Sequence, residues 1–296
     1  MLFYSSFMIF SDFQKIKENF SDINLIYIPI MISFFVISMI IRSIFQNILL
    51  RKISVKLSLK FNIQLFISGL SMIITPGGSG QIIKSQILKE KYDIPIKKSL
   101  PVIITERFFD LIAVSIILIF TLFYYNSIET FILILISCLV IVLIILLTRS
   151  KKVFKKCSLK LKRFSIFRQY VSDEGDFYES VQKLFSFTIL VRGLLLIIPV
   201  TFLDGLTVYL GFLAFGVDLG YIQTIQFYYS SLLVGIFSFI PGGLAIMESS
   251  FTLQLLNENI SLALSTSITI FVRLLTIWLA TLSGFIVYFS IFKNRK

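Results

Sequence analysis

Long apolar runs separated by short polar or basic blocks dominate the chain. Residues 23–41 form the first run long enough to cross a bilayer, nineteen residues closed by Arg42. Residues 100–125 and 128–147 are further spans, the first carrying Glu106, Arg107 and Asp110 near its start. Residues 185–215 form a long apolar stretch holding Arg192, Pro199 and Asp204, and residues 260–292 form the last, ahead of Lys293, Arg295 and Lys296. The runs are continuous and do not alternate, which predicts helices and argues against a transmembrane β-barrel.

Two runs are interrupted. Residues 61–75 are only fifteen in number and break at Pro76, Gly77 and Gly78, followed by Ser79 and Gly80. Residues 81–92 then read as a polar helix that lipid alone would not tolerate. Residues 222–240 break at Pro241, Gly242 and Gly243, and residues 244–256 follow with Glu248 and several hydroxyls. Residues 257–259 are a turn. At the start of the chain, residues 1–10 are apolar but too short to span, and they lack the n-region and cleavage site of a signal peptide. With the polar residues 11–22 they predict an N-terminal interfacial segment.

Composition fixes the class. Of 296 residues, 56% are hydrophobic and 15% charged, against roughly 25% charged in a soluble domain. The mean hydropathy is +0.91. These values exclude a soluble enzyme, a disulfide scaffold and a disordered chain. They leave an all-α, polytopic helical membrane protein, with residues 23–296 as one transmembrane domain. Histidine is absent, which removes His-based nucleophile systems, haem with His ligation and most zinc sites. Cys138 reads as apolar filler. Cys157, in a lysine cluster, reads as filler or as a reactive thiol. No metal or cofactor is expected. The net charge of +12 sits in blocks between apolar segments, which points to a membrane and not to nucleic acid.

The interruptions recur. Each Pro-Gly-Gly is followed by a helix with polar groups and then by a span carrying an arginine. Pro76 precedes Arg107 by 31 residues, and Pro241 precedes Arg273 by 32. Repeats of this scale are common in transporter folds. Charge orients the halves. Positions 42–98 hold ten Lys and Arg on both sides of the first break, whereas positions 193–272 hold none. The first broken hairpin is therefore expected to enter and leave on the cytoplasmic side, the second on the outside. The halves, about 23–148 and 184–292, become inverted repeats joined by a basic cytoplasmic loop, 149–183. Each contributes a re-entrant hairpin broken at glycine, and the breaks should approach each other near the midplane.

The breaks suggest chemistry. A helix starting after a glycine turn aims unpaired N–H groups at what lies before it, which suits an anion such as a lipid phosphate. Gln81 and Lys84 lie on the first such helix; a P-loop is excluded because Ile83 stands where that motif needs glycine. A simple turning role for Pro-Gly-Gly is the rival reading. Glu106, Arg107 and Asp110 share one helix and either line a polar cavity for a head group or form a structural ion pair. Arg273 lies twenty residues before Lys293, so snorkelling to the outer interface competes with a site role. Glu248 is expected to pair with Arg273 or to stay protonated. Arg192 and Asp204, twelve residues apart, lie about 120° apart round a helix and are not expected to pair.

At these residues the chain resembles a known family. Thr75 to Gln81 with Lys84, then Glu106 to Asp110, then Pro241 to Glu248, and Arg273 are similar to the flippase-like integral membrane family. That family includes the transmembrane region of lysylphosphatidylglycerol synthases and archaeal glycosylation membrane proteins. The resemblance covers about residues 23–292. It implies movement of a lipid or lipid-linked glycan across the cell membrane, with membrane lipids or lipid-linked sugar head groups as partners. It implies that Pro76, Gly77, Gly78, Gly80, Gln81, Lys84, Glu106, Arg107, Asp110, Pro241, Gly242, Gly243, Glu248 and Arg273 form the substrate site. Gln81 stands where an acid is expected, and Ala245 and Met247 where glycine and arginine are expected. No acyltransferase domain follows, so neither lysyl transfer nor another enzyme activity is expected. The rivals are a lipid-pyrophosphate phosphatase and a non-transporting scaffold. The first needs a Pro-Gly-x-Ser-Arg-Ser loop and paired glutamates, which are absent from the sequence.

Overall fold

The computed structural model describes residues 13–149 and 174–293, with only the backbone course described for 76–78 and 174–176. The apolar segment 1–10, residues 150–173 of the basic loop with Cys157, and the terminal Arg295 and Lys296 lie outside the described residues. Within them every regular element is helical. We label these α1 (Phe13–Ser21), α2 (Tyr27–Lys52), α3 (Leu59–Leu70), α4 (Ile83–Tyr92), α5 (Ile96–Leu122) and α6 (Ile128–Arg149). The second part holds α7 (Glu174–Leu184), α8 (Phe187–Ala214), α9 (Tyr221–Phe237), α10 (Ile246–Asn257), α11 (Leu262–Arg273) and α12 (Leu279–Lys293). Tight 3-10 turns occupy both breaks, Pro76–Ile82 and Pro241–Gly243, and a wide π turn, Leu274–Trp278, joins α11 to α12.

Among the described residues, four helices are long and apolar enough to cross a membrane: α2, α6, α8 and the continuous helix Leu262–Lys293. Helix α5 has 27 residues, but Glu106, Arg107 and Asp110 interrupt its apolar run. Its Phe108, Phe109, Ala113, Ile117 and Leu118 are buried, so it belongs to the interior.

Local chemistry sets the ends. Ser58 caps α3 by accepting from the Phe61 amide at 3.3 Å, and Ser261 caps α11 by accepting from Leu264 at 3.4 Å. Asp93 closes α4 with φ 53°, and Pro95 prevents a return to helix before α5. The first span departs from expectation: α2 does not stop at Arg42 but runs ten residues further, to Lys52. No glycine or proline interrupts 42–52, and Phe45, Leu49 and Leu50 on this extension are buried.

Two apolar clusters sit at opposite ends of the bundle. One gathers Leu50 of α2, Ile53 after it, Leu57 before α3, Leu88 of α4, Val102 of α5, Leu184, Ile189 and Ile291. The other gathers Ile117 and Leu118 of α5, Phe212 of α8, Ile225 of α9, Leu255 of α10 and Ile268 of α11. The α3–α4 hairpin has both ends in the first cluster, where the Phe61 and Tyr92 rings meet at a tilt with centroids 5.0 Å apart. The α9–α10 hairpin has both ends in the second. Lys91 donates to the Ile291 carbonyl at 2.8 Å in the first cluster, and Gln226 donates to the Tyr125 carbonyl at 2.9 Å near the second.

Corresponding helices of the two halves pack reciprocally. Helices α2 and α8 run antiparallel: the Asn24 amide donates to the Ala214 carbonyl at 2.9 Å, Met31 lies against Gly211, and Arg42 meets Asp204 at 2.8 Å. Helix α5 packs on α9, while α12 packs on α3. The last contact needs a glycine, because a Cβ on Gly284 would lie 2.2 Å from the Ser71 backbone nitrogen. Gly284→Ala should therefore push α12 off α3 and cost about 1–3 kcal/mol, as overpacking does. A lower Tm of the purified protein in detergent checks this.

Candidate functional site

The first break is built from an extended residue and a short turn. Thr75 has φ −65° and ψ 154°, and its hydroxyl accepts from the Gly80 amide at 2.5 Å, so the turn begins at Pro76. The 3-10 turn carries Gln81 into the interior and passes directly into α4, which carries Lys84 and Ser85 there; all three are at most 3% exposed. The Lys84 ammonium donates to the Glu106 carboxylate on α5 and to Gln46 Oε1 on α2, the latter at 3.1 Å. Gln46 in turn donates to Asn62 Oδ1 at 3.1 Å, and the Asn62 amide donates to the Ser43 carbonyl at 2.6 Å. Lys84 also stands 5.6 Å from the Phe66 ring centre, and its stem rests on Gly69, where a Cβ would be 2.7 Å from it. One ion pair thus ties α2, α3, α4 and α5 together.

One turn along α5 lies a second, wetter group. Arg42 donates to Asp110 and, at 2.8 Å, to Asp204 of α8, while Arg107 stands 3.2 Å from Asp110. These side chains are half-buried, from 22% exposed at Arg42 to 36% at Arg107. Arg42, which closes the first apolar run in the sequence, lies inside α2 and holds both halves. A signal was present: Arg42 and Gln46 stand four apart on an uninterrupted apolar helix, hence on one face. Gln46, Asn62 and Asp204 were not assigned to the site from sequence. Arg192 is exposed on α8 and does not meet Asp204.

The second break repeats the plan with the charges exchanged. Gly242 and Gly243 both have φ 63°, which glycine adopts without penalty. Arm meets arm glycine to glycine, since a Cβ on Gly243 would lie 3.0 Å from the Gly235 Cα. Glu248 on α10, 1% exposed, accepts from Arg273 Nε at 2.7 Å, and Arg273 Nη2 donates to the Gly242 carbonyl at 2.6 Å. Arg273 is 3% exposed and does not snorkel. In the first half a lysine on the hairpin meets an acid on the following span. In the second an acid on the hairpin meets an arginine on the following span. The π turn starts immediately after Arg273, a device often found at functional positions.

The two breaks touch: Gly242 packs against Ile74, just before Pro76, and against Ile277 in the π turn. The structure therefore brings together Gly80, Gln81, Lys84, Glu106, Arg107 and Asp110 around the first break and α5. It places Pro241, Gly242, Gly243, Glu248 and Arg273 at the second. Pro76, Gly77 and Gly78 lie in the first turn, their packing outside the described detail. No group of three metal-ligating side chains gathers among the described residues. The arrangement offers backbone and charged groups.

Comparison with known proteins places the chain among membrane proteins. The family model described as "Lysylphosphatidylglycerol synthase TM region" matches residues 1–284. A UPF0104 membrane protein of Pyrococcus horikoshii is 25% identical over 302 aligned positions, covering 93% of this chain and 89% of its own length. No solved structure matches the chain.

Two outcomes follow from the second break. Glu248→Gln leaves the buried Arg273 charge unmatched and should cost about 3–5 kcal/mol, with partial recovery in the double variant carrying Arg273→Gln. Thermal unfolding of the single and double variants reads both effects. Ala245, which precedes α10, has φ 76° and ψ −51°, a strained conformation for a residue with a Cβ. Ala245→Gly should raise the Tm, by relief of about 1–3 kcal/mol of strain.

Proposed function

Because the chain belongs to the family of the lysylphosphatidylglycerol synthase transmembrane region, a multi-pass membrane family, we propose that it is a flippase-like transporter of a lipid or lipid-linked glycan. The observation that carries this reading is the meeting of two broken hairpins, one from each end of the bundle, beside buried and half-buried charges. The antiparallel pairing of α2 with α8 and the reciprocal packing of α5 on α9 and α12 on α3 support inverted repeats with re-entrant hairpins. Such an arrangement can rock about a fixed central site and expose it to either side in turn. Charges there face the bundle because exposing each to lipid costs about 2.5–3.5 kcal/mol on insertion scales.

The half-buried Arg42, Arg107, Asp110 and Asp204 form the mouth of the path in this reading, and the fully buried Lys84–Glu106 and Glu248–Arg273 pairs hold the hairpin tips. The basic end, with Lys89, Lys91, Lys97 and Lys98, faces the cytoplasm of the cell, following the positive-inside bias. A phosphatase is disfavoured because both Glu106 and Asp110 are engaged with cations. A scaffold would tolerate loss of these charges.

Purified protein in vesicles, with acyl-labelled fluorescent lipids and an impermeant quencher, tests transport directly. Arg107→Ala should slow movement roughly tenfold or more while the protein still folds, the scale of a lost charged hydrogen bond. Loss of folded protein in detergent would favour a structural role. For topology, Lys89→Cys should be shielded from an impermeant external thiol reagent and Asn257→Cys should react. Labelling of both from outside would refute the inverted arrangement.

A further inference from the structure

Buried side-chain atoms without a hydrogen-bond partner concentrate at one place. Both ends of the Gln81 amide, the Ser85 hydroxyl, Glu106 Oε1 and Arg107 Nε have none. Elsewhere among the described residues such hydroxyls occur singly, at Ser38, Ser186 and Thr266. Gln81 and Ser85 stand four apart on the continuous helical run after Pro76, and Lys84 beside them already binds Glu106. The first turn also packs against α5, which carries Glu106 and Arg107. Gln81 is 1% exposed. A buried amide open at both ends is unfavourable unless something polar reaches it.

The unmet groups define what is missing. Gln81 and Arg107 need acceptors; Gln81 Oε1 and Glu106 Oε1 need donors; Ser85 can serve either way. A phosphate only accepts and would leave Glu106 Oε1 unmet. An ammonium only donates and would leave Arg107 Nε unmet. Local charge is balanced, with Arg42, Lys84 and Arg107 against Glu106, Asp110 and Asp204, so neither ion gains a net attraction. Adjacent hydroxyls donate and accept at once and carry no charge. We propose that the first break is the subsite for a neutral, polyhydroxyl head group, a sugar or a glycerol, held by Gln81, Ser85, Glu106 and Arg107.

This inference rests on the transport reading. A cavity of about 10 Å³ beside Gln46, Lys84, Ser85 and Ser99 has room for about one water. The head group therefore enters when the hairpin tips part, from the half-buried Arg42–Asp110–Asp204 side one turn away on α5. The second break holds its arginine through both Glu248 and the Gly242 carbonyl, so the two halves divide the work, one gripping the head group and one fixing the frame.

Thermal stability of the full chain in phosphatidylcholine nanodiscs tests the subsite. The probes are glucosyl-diacylglycerol, phosphatidylglycerol, phosphatidylethanolamine and phosphatidic acid, with the same acyl chains and mole fraction. The expected result is a Tm raised by a few degrees with the glucosyl lipid, with phosphatidylglycerol, or with both, and by neither of the others. The first alone identifies a sugar, the second alone a glycerol, and both a general diol. Gln81→Met and Ser85→Ala should erase the shift while leaving the Tm without added lipid unchanged or higher. Equal or larger shifts with phosphatidylethanolamine or phosphatidic acid, no shift with any lipid, a shift that survives both substitutions, or a lower Tm in the variants alone would each overturn the proposal. If the Tm pattern holds while no labelled lipid crosses vesicles, the transport reading fails and the subsite stands. If lipids cross without the Tm pattern, the subsite fails alone.

Discussion

A helix that stops inside an apolar layer exposes amides, carbonyls and dipole ends that hydrocarbon cannot satisfy. This chain interrupts a helix at a Pro-Gly-Gly twice inside its bundle, and much of the interior answers those two stops. At the second, Arg273 reaches back across 31 positions to the Gly242 carbonyl while its other nitrogen holds Glu248. At the first, Thr75 takes the Gly80 amide and Lys84 anchors the following helix to α5 and α2. Removing one partner from either pair would leave a buried charge without compensation, which is why the pairs matter more than their modest net contribution to stability.

The exchange of charge between the halves has a structural logic. Each pair needs one member on a hairpin and one on the span that follows, but the sign on either side is free. In the first half the short, polar α4 carries the cation, and a long lysine stem can lie along Gly69 and reach Glu106. In the second half the span carries the cation, and a guanidinium has enough donors to serve both a carboxylate and a carbonyl. The same scaffold therefore accommodates a single-headed ammonium at one break and a forked guanidinium at the other.

Much of this was legible in the sequence. The two Pro-Gly-Gly stops and the spans at 128–147 and 185–215 follow from apolar run length and glycine placement, and the scarcity of other cations in the second half left Glu248 either to pair with Arg273 or to stay protonated, of which the structure shows the pair. The reach of α2 past Arg42 was not read, because an arginine after nineteen apolar residues looks like a membrane boundary. Its true partners are 68 and 162 positions away, and no local pattern announces contacts of that range. Gln46 and Asn62 were hidden for the same reason: single amides in apolar helices show their purpose only when the helices are packed. Ala245 is a different case. The departure from an expected glycine was visible in the sequence, but the positive φ that explains why glycine suits the position appears only in the backbone.

The wide turn after Arg273 has a further consequence. It ends at Trp278, and the sequence contains one tryptophan. Its immediate neighbour in the chain, Ile277, touches Gly242 at the tip of the second hairpin. Indole emission from the whole protein therefore originates on the turn that also carries Ile277, undiluted by other indoles. The unaltered chain carries its own optical probe on the wide turn that follows Arg273, one whose colour registers how wet that turn is.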